Sequence, residues 1–296
     1  MSERKVIDFQ TQMTTEKGAL FPIGFKSFFE KTFKCKIPYH QTEDEMIEVY
    51  RKANIKAILV GPTSTLKDFD EVAKVNNYIA ELIDTYPDDI LGAWFMFNAS
   101  HSLDKWLEEL ERCIKDCHFF GPWHYGASSG IPANDPVLKP VWKLCARKKV
   151  PVKISCGHTA AGAGTPGGSG LKLKYERPIP YIDDVAADFP KLTIVAAHMP
   201  WPWHHEMVSV LIHKGNVYNE THGWSPQYYP ETFLKDCGSR VRRKILFGSD
   251  WPFLTFDRLY GDWETASKTY NFKPDALENI YYNNAEKLFS KLKIKI

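Results

Sequence analysis

Eight short β-rich runs alternate with helical patterns along this chain, and that alternation restricts the fold more than any other feature. The expected strands are Val6–Gln12, Lys56–Gly61, Ile90–Phe97, His118–His124, Pro151–Cys156, Leu192–His198, Val217–His222 and Ile245–Asp250. Apolar spacing predicts helices over Glu43–Ala53, Phe69–Thr85, Leu103–Lys115, Pro136–Arg147, Ile182–Phe189, His204–Lys214, Glu231–Cys237 and Phe256–Lys268. A last helix, Asp275–Leu292, closes the chain. Strands separated by helices run parallel, because a parallel pair needs a long crossover. Eight such units close into a (β/α)8 barrel of the TIM type, and 296 residues suffice for one. An open doubly wound sheet is the rival, but such sheets more often have fewer strands. The runs ILGAWFMF and KLTIVAA suit strands covered outside by helices. No repeat, low-complexity tract or linker divides residues 1–296, so one domain is expected. Thr14–Tyr39 fit neither pattern and read as an irregular insert after the first strand, placed to cap a site.

Bulk properties exclude several functions. The net charge is +2, and no basic stripe or heptad run stands out, so neither nucleic acid nor an anionic membrane is an expected partner. No apolar run approaches the length of a membrane span, and MSERKVIDFQTQM has too short an apolar stretch for a signal peptide. Six cysteines (Cys35, Cys113, Cys117, Cys145, Cys156, Cys237) are scattered without a Cys-x-x-Cys pair, as in reduced proteins. A cytoplasmic enzyme acting on a small molecule is expected.

In a parallel barrel the working groups sit at the C-terminal ends of the strands and in the loops after them. Those ends offer Asp8, Gln10 and Gln12; His124; Ser155, Cys156 and His158; His198; Glu220 and His222; and Asp250. Asp250 could instead cap a helix or pair with a cation, and His198 could be a satisfied core histidine, but their positions favour chemistry. His158 and His222 are divided evenly between chemistry and packing. His204 and His205, in a helix start, read as surface or cap residues. Lys153 shares a strand face with Ser155 and reads equally as an interior cation or a salt-bridge partner. Cys156 is near the site and could serve as a nucleophile, but a free cysteine more often reads as a buried small residue.

Gly162–Gly167 match Gly-x-Gly-x-x-Gly, but Pro166 and further glycines follow instead of a helix start, so no dinucleotide site is expected. A mobile loop over the barrel mouth is the better reading, with Lys172, Lys174 and Arg177 able to meet an anion or simply to be solvated. Five of nine tryptophans (Trp123, Trp201, Trp203, Trp224, Trp251) fall at or just after strand ends. They suit a flat or ring-shaped substrate, or else an oligomer interface. No Gly-x-Ser-x-Gly elbow is present.

Four segments carry a resemblance to the amidohydrolase-related family of metal-dependent hydrolases and decarboxylases: Cys156–Tyr181, Ala196–Trp203 (AAHMPWPW), Gly223–Tyr229 (GWSPQYY) and Leu246–Pro252 (LFGSDWP). It spans the chain from the first strand to the eighth and implies the same barrel. The family's opening His-x-His pair of metal ligands falls on Gln10-Thr11-Gln12, and its strand-5 histidine on Ser155. Only His198 and Asp250 match the expected strand-6 and strand-8 ligands. Carboxamides and hydroxyls are poor ligands for a zinc-type ion. No cofactor is therefore the expectation; a zinc or manganese site rebuilt on His198, Asp250 and Glu220 is the alternative. Some lactonases of this superfamily hydrolyse without metal.

The resemblance implies three readings. In the first, a hydrolase acts on a small cyclic or aromatic-like carbonyl compound, a lactone or a ring C–C bond beside a ketone. Asp250 activates water, His198 with His158 or His222 polarises the carbonyl, and Gln10 and Gln12 bind substrate oxygens. His124, Ser155, Trp201, Trp224, Trp251 and Arg177 complete the expected substrate contacts. The second is a non-oxidative decarboxylase of a hydroxylated aromatic acid, and the third an inactive ligand-binding barrel. Related barrels also imply a homo-oligomer.

Overall fold

The structure, a computed structural model, describes residues 4–18, 26–61 and 63–294. Eight parallel strands follow one another around a single sheet. They are β1 (Val6–Gln12), β2 (Ile55–Val60), β3 (Ile90–Met96), β4 (Phe119–His124), β5 (Val152–Ser155), β6 (Ile194–Ala197), β7 (Val217–Glu220) and β8 (Ile245–Leu246). The ring closes through backbone bonds: Phe9 N–H donates to Phe247 O (3.0 Å), Asp250 N–H to Gln10 O (2.9 Å) and Gln12 N–H to Trp251 O (2.8 Å). The expected (β/α)8 barrel is the fold.

The outer layer comprises α2 (Glu43–Ala53), α3 (Phe69–Thr85), α4 (Leu103–Asp116), α6 (Lys139–Lys148), α7 (Asp183–Asp188), α8 (His204–His213), α9 (Glu231–Cys237) and α10 (Phe256–Thr269). Their local causes are ordinary. Thr42 caps α2 by accepting from Glu45 N–H (3.2 Å), Glu45 accepts in return from Gln41 N–H (2.8 Å), and left-handed Asn54 ends the helix. In α4 the buried Trp106, Leu110 and Cys113 fall on one stripe facing the strands. Two short helices, α5 (Gly126–Ser129) and α11 (Ala276–Glu278), and the terminal α12 (Asn284–Leu292) complete the set. Phe289 of α12 stacks on Phe9 (5.5 Å) and meets Phe120 (5.1 Å), joining the apolar cluster inside the barrel.

Two expectations need correction. The eighth strand stops at Leu246 instead of running to Asp250, because the residues after it turn their hydrogen bonds onto β1 and Asp250 takes a left-handed backbone (φ 56°). The stretch 14–39 is not wholly irregular: it contains helix α1 (Lys26–Phe33), while residues 19–25 lie outside the described residues. Gly162–Gly170 form turns with several left-handed glycines and no following α-helix, so no dinucleotide fingerprint exists there. All six cysteines are free, and among the described residues no helix is long and apolar enough to cross a membrane.

Candidate active site

The loops just beyond β6 and β8 deliver the two central side chains from strained backbone. His198 (φ 79°) follows β6 at once, and Asp250 (φ 56°) comes four residues after β8. Non-glycine residues rarely hold this conformation, which collects at functional sites. The Asp8 carboxylate supports the second loop: its Oδ1 accepts from Ser249 N–H (2.9 Å) and Gln10 N–H (3.1 Å). Gly248 is required for a different reason. A Cβ there would lie 1.8 Å from Glu220 Oε1, so only glycine lets the loop pass that carboxylate.

A cavity of about 150 Å³ opens at this end of the barrel. Its polar lining is Gln10, Gln12, His158, Thr159, His198, His222 and Asp250, between Met96, Trp123, Tyr125, Trp224 and Phe253. An apolar cavity of this size holds one six-membered ring.

Behind the polar wall lies a buried charge network. Lys153 is fully buried; its ammonium lies 3.0 Å from Glu220 Oε2 and donates to Gln10 Oε1 (2.6 Å) and Phe9 O (3.1 Å). The Trp123 ring lies 4.7 Å away. Burial pushes the ammonium below its ordinary pKa, and Glu220 opposes that shift. For Glu220 the burial penalty is outweighed by His222, Lys153 and their hydrogen bonds, which hold its pKa down at about 2. Glu220 also accepts from His222 N–H (2.7 Å), and its Oε2 lies 2.6 Å from His222 Nδ1. His222 is thereby fixed, with Nε2 left for other work. His198 lies 4.1 Å from it, ring to ring. Burial first, then the neighbouring His222, push the His198 pKa well down, so it acts as a neutral imidazole. Burial also raises Asp250, against His222 and the hydrogen bond from Gln12.

This network decides which way the two carboxamides face. An ammonium can only donate, so Gln10 must turn its oxygen to Lys153 and its NH2 away. A carboxylate can only accept, so Gln12 gives its NH2 to Asp250 Oδ1 (3.0 Å) and turns its oxygen away. Gln10 Nε2, Gln12 Oε1 and His198 Nδ1 are buried with no hydrogen-bond partner among the described residues. The side chains that line the cavity therefore carry a buried amide donor, a buried amide acceptor, a neutral imidazole and a carboxyl group.

Gln10, Gln12, His158, His198, His222, Trp224 and Asp250 come together on the cavity, while the other expected contacts do not. His124 is buried with Nε2 on Ile131 O (2.9 Å). Ser155 accepts from Trp123 Nε1 (2.8 Å). Trp251 stacks on Phe256 (5.2 Å), and Arg177 pairs with Glu206. Trp201 stands at the rim, 42% exposed, against His158 (5.6 Å) and Trp224 (6.2 Å). Trp203 precedes α8 as its cap residue. Among the described residues, none of 14–39 lines the cavity, and residues 19–25 of the insert lie outside the described residues. Tyr125 and Thr159, whose hydroxyls bond to each other, were not expected on the wall. Tyr125 directly follows β4, and the strand-end rule could have found it.

Comparison with known proteins gives one family. The profile described as Amidohydrolase matches residues 36–291, a stretch that begins after β1 and so leaves out Gln10 and Gln12. A search among curated proteins finds no match. Among solved structures, an uncharacterised TIM-barrel protein from Bordetella bronchiseptica is 21% identical, covering 98% of this chain and 99% of its own (TM-score 0.74). A 5-carboxyvanillate decarboxylase from Novosphingobium aromaticivorans, complexed with manganese and 4-hydroxy-3-methoxy-5-nitrobenzoic acid, is 15% identical over 97% and 96% (0.63). A 4-oxalomesaconate hydratase from Rhodopseudomonas palustris is also 15% identical over 97% and 96% (0.62).

The donors present here do not fit a manganese- or zinc-type ion. Gln10 Oε1 is taken by the Lys153 ammonium, and both oxygens of Glu220 are taken by Lys153 and His222. Among the described residues, no group of three or more His, Cys, Asp or Glu side chains is placed to hold a metal. Asp250 and His198 remain, with one weak amide oxygen on Gln12.

Proposed function

Because this chain belongs to the amidohydrolase family, an enzyme of the hydrolase or lyase kind, we propose that it hydrolyses a small cyclic carbonyl compound with Asp250 as general base. The substrate is a lactone, or a ring with a C–C bond beside a ketone. The observation that carries this reading is the Asp250 carboxylate on the cavity wall, aligned by Gln12 and raised in pKa by burial. A carboxylate with a raised pKa is a stronger proton acceptor than an ordinary one.

For a lactone, Asp250 takes a proton from water as the water oxygen bonds to the carbonyl carbon. Negative charge gathers on the carbonyl oxygen, where the free NH2 of Gln10 can stabilise it. The tetrahedral carbon then expels the ring oxygen, breaking the ester C–O bond. The proton held on Asp250 passes through His198 or His222 to that oxygen, so the products are a hydroxy acid and the restored Asp250 carboxylate. His158, lowered in pKa by burial, belongs to the same imidazole group at the rim.

Decarboxylation of a hydroxylated aromatic acid is the second reading, favoured by the solved decarboxylase. It is weaker because the substrate carboxylate would face Asp250, and among the described residues no lysine or arginine side chain lines the cavity.

Product mass separates the two: hydrolysis adds one water, whereas decarboxylation releases carbon dioxide. Asp250→Asn is expected to lower kcat about 10²- to 10⁴-fold. Elemental analysis of the active protein is expected to find no stoichiometric metal, and chelation to leave activity intact. Chelator-sensitive turnover with bound manganese or zinc would overturn the proposed chemistry.

A further inference from the structure

We infer that the cavity selects an uncharged monocyclic ligand whose carbonyl oxygen stands near a hydroxyl or N–H donor, and rejects the carboxylated analogue. This deepens the preceding proposal and rests on its reading of the cavity as the reaction site. Three observations converge on it.

The first is the handedness of the two amides. Lys153 leaves Gln10 only its NH2 to offer, and Asp250 leaves Gln12 only its oxygen. Both free atoms are buried and unpartnered among the described residues, on side chains that line the cavity, so an occupant that reaches them gains by supplying one acceptor and one donor. A carboxylate has two acceptors and no donor. It would satisfy Gln10 and set its second oxygen against the Gln12 oxygen.

The second is the charge on the wall. Asp250 is the acidic side chain there, and no lysine or arginine joins it among the described residues. Residues 19–25, which lie outside the described set, contain neither. The nearby cations are committed elsewhere. Lys153 is matched by Glu220 and screened from the cavity by Gln10, and Arg177 is paired with Glu206. A ligand carboxylate would meet the Asp250 carboxyl, and the nearest groups that could answer it, His222 and Lys153, are already bonded to Glu220.

The third is the size and facing of the space. About 150 Å³ between Trp123, Tyr125, Trp224 and Phe253 suits a single ring. The aromatic walls bury its faces while the amides read its edge.

Benzamide and benzoate provide the test, being alike in shape and different in charge and donor content. Their affinities for the full-length protein at pH 7.5 are read by ligand-observed NMR titration. Benzamide is expected to bind about tenfold or more tightly, a difference of ~1.4 kcal/mol or more. Gln12→Leu should weaken benzamide severalfold by removing its acceptor. Met96→Lys, which places a cation on the wall outside the proposed catalytic groups, should bring benzoate to or above benzamide. Should Gln12→Leu fold poorly, the wild-type comparison and Met96→Lys still decide. Equal or tighter binding of benzoate by the wild type overturns the inference, and so does failure of both probes to bind. The two proposals can fail separately. If Asp250→Asn retains full turnover while benzamide is preferred, hydrolysis by Asp250 falls and the ligand class stands. If benzoate is preferred while a lactone is hydrolysed through Asp250, the reverse holds.

Discussion

An ammonium enclosed in protein without water needs its charge answered at close range, and removing one member of such a pair leaves the other stranded. Lys153 and Glu220 stand in that relation 3.0 Å apart, both fully buried. Lys153→Met is therefore expected to destabilise the protein by about 3–5 kcal/mol in urea unfolding. Lys153→Met/Glu220→Gln, which removes both charges, should recover most of that loss. Equal destabilisation of the single and double variants would show that the lysine acts only as packing. Spacing along β5 puts Lys153 on one strand face with Ser155 and leaves an interior cation and a salt-bridge partner equally open; the structure makes it both, with Glu220 coming from β7, far along the chain. The same limit explains Ser155, His124, Trp251 and Arg177. A strand-end position says that a side chain is near the mouth, and local packing decides whether it turns inward. Ser155 turned to Trp123, and His124 to the Ile131 carbonyl. Gln10 and Gln12 were legible because their period of two on one strand puts both on one face.

Elements with a repeated apolar stripe were read nearly to their ends, as α3 and α4 show, because a helix of that length needs one buried face. Helix α1 was missed: it follows Pro22 and Gly24 and precedes Pro38, a composition that reads as loop. The long loop after β5 had no readable anchor, yet it has one in Glu176. That carboxylate is fully buried, accepts from Ala127 N–H of α5 (2.6 Å), and has Oε2 unpartnered among the described residues. Its backbone oxygen also accepts from Gly157 N–H (2.9 Å), tying both ends of the loop. Burial raises its pKa from 4.5 to about 8, so at neutral pH the folded state keeps a proton that the unfolded state has lost. Where the unfolded chain binds fewer protons, stability falls as pH rises. The contribution is full below the ordinary carboxylate range and lost progressively towards pH 8. Glu176→Gln cannot ionise. Its melting temperature is thus expected to gain on the wild type steadily from about pH 5 to about pH 8 and then level off. A difference that stays flat with pH would mean that the carboxyl is solvated or paired.

A barrel is a closed ring, so its behaviour as a whole depends on its weakest seam. β8 contributes only Ile245 and Leu246, paired to Asn219 and Glu220 of β7. Its junction with β1 is not a regular ladder but a set of loop bonds through Phe247, Asp250 and Trp251, pinned by Asp8 on Ser249. β1 and β2, by contrast, pair along most of their length. Regions held by fewer backbone bonds open at lower free energy than the global transition. The β8–β1 seam is therefore expected to exchange amide hydrogens faster than β2, with Asp250 and Trp251 less protected than Ile58 and Leu59. Asp250 and the two glutamines lie on opposite sides of that seam, so opening it separates the general base from the group that aligns it. Activity should accordingly fall at a lower urea concentration than the loss of helical circular dichroism. Coincident transitions, together with equal protection of the two segments, would show that the ring opens only as a unit. Asp8→Ala should widen the gap between the two midpoints by removing the pin, and its effect should appear first in activity and only later in secondary structure.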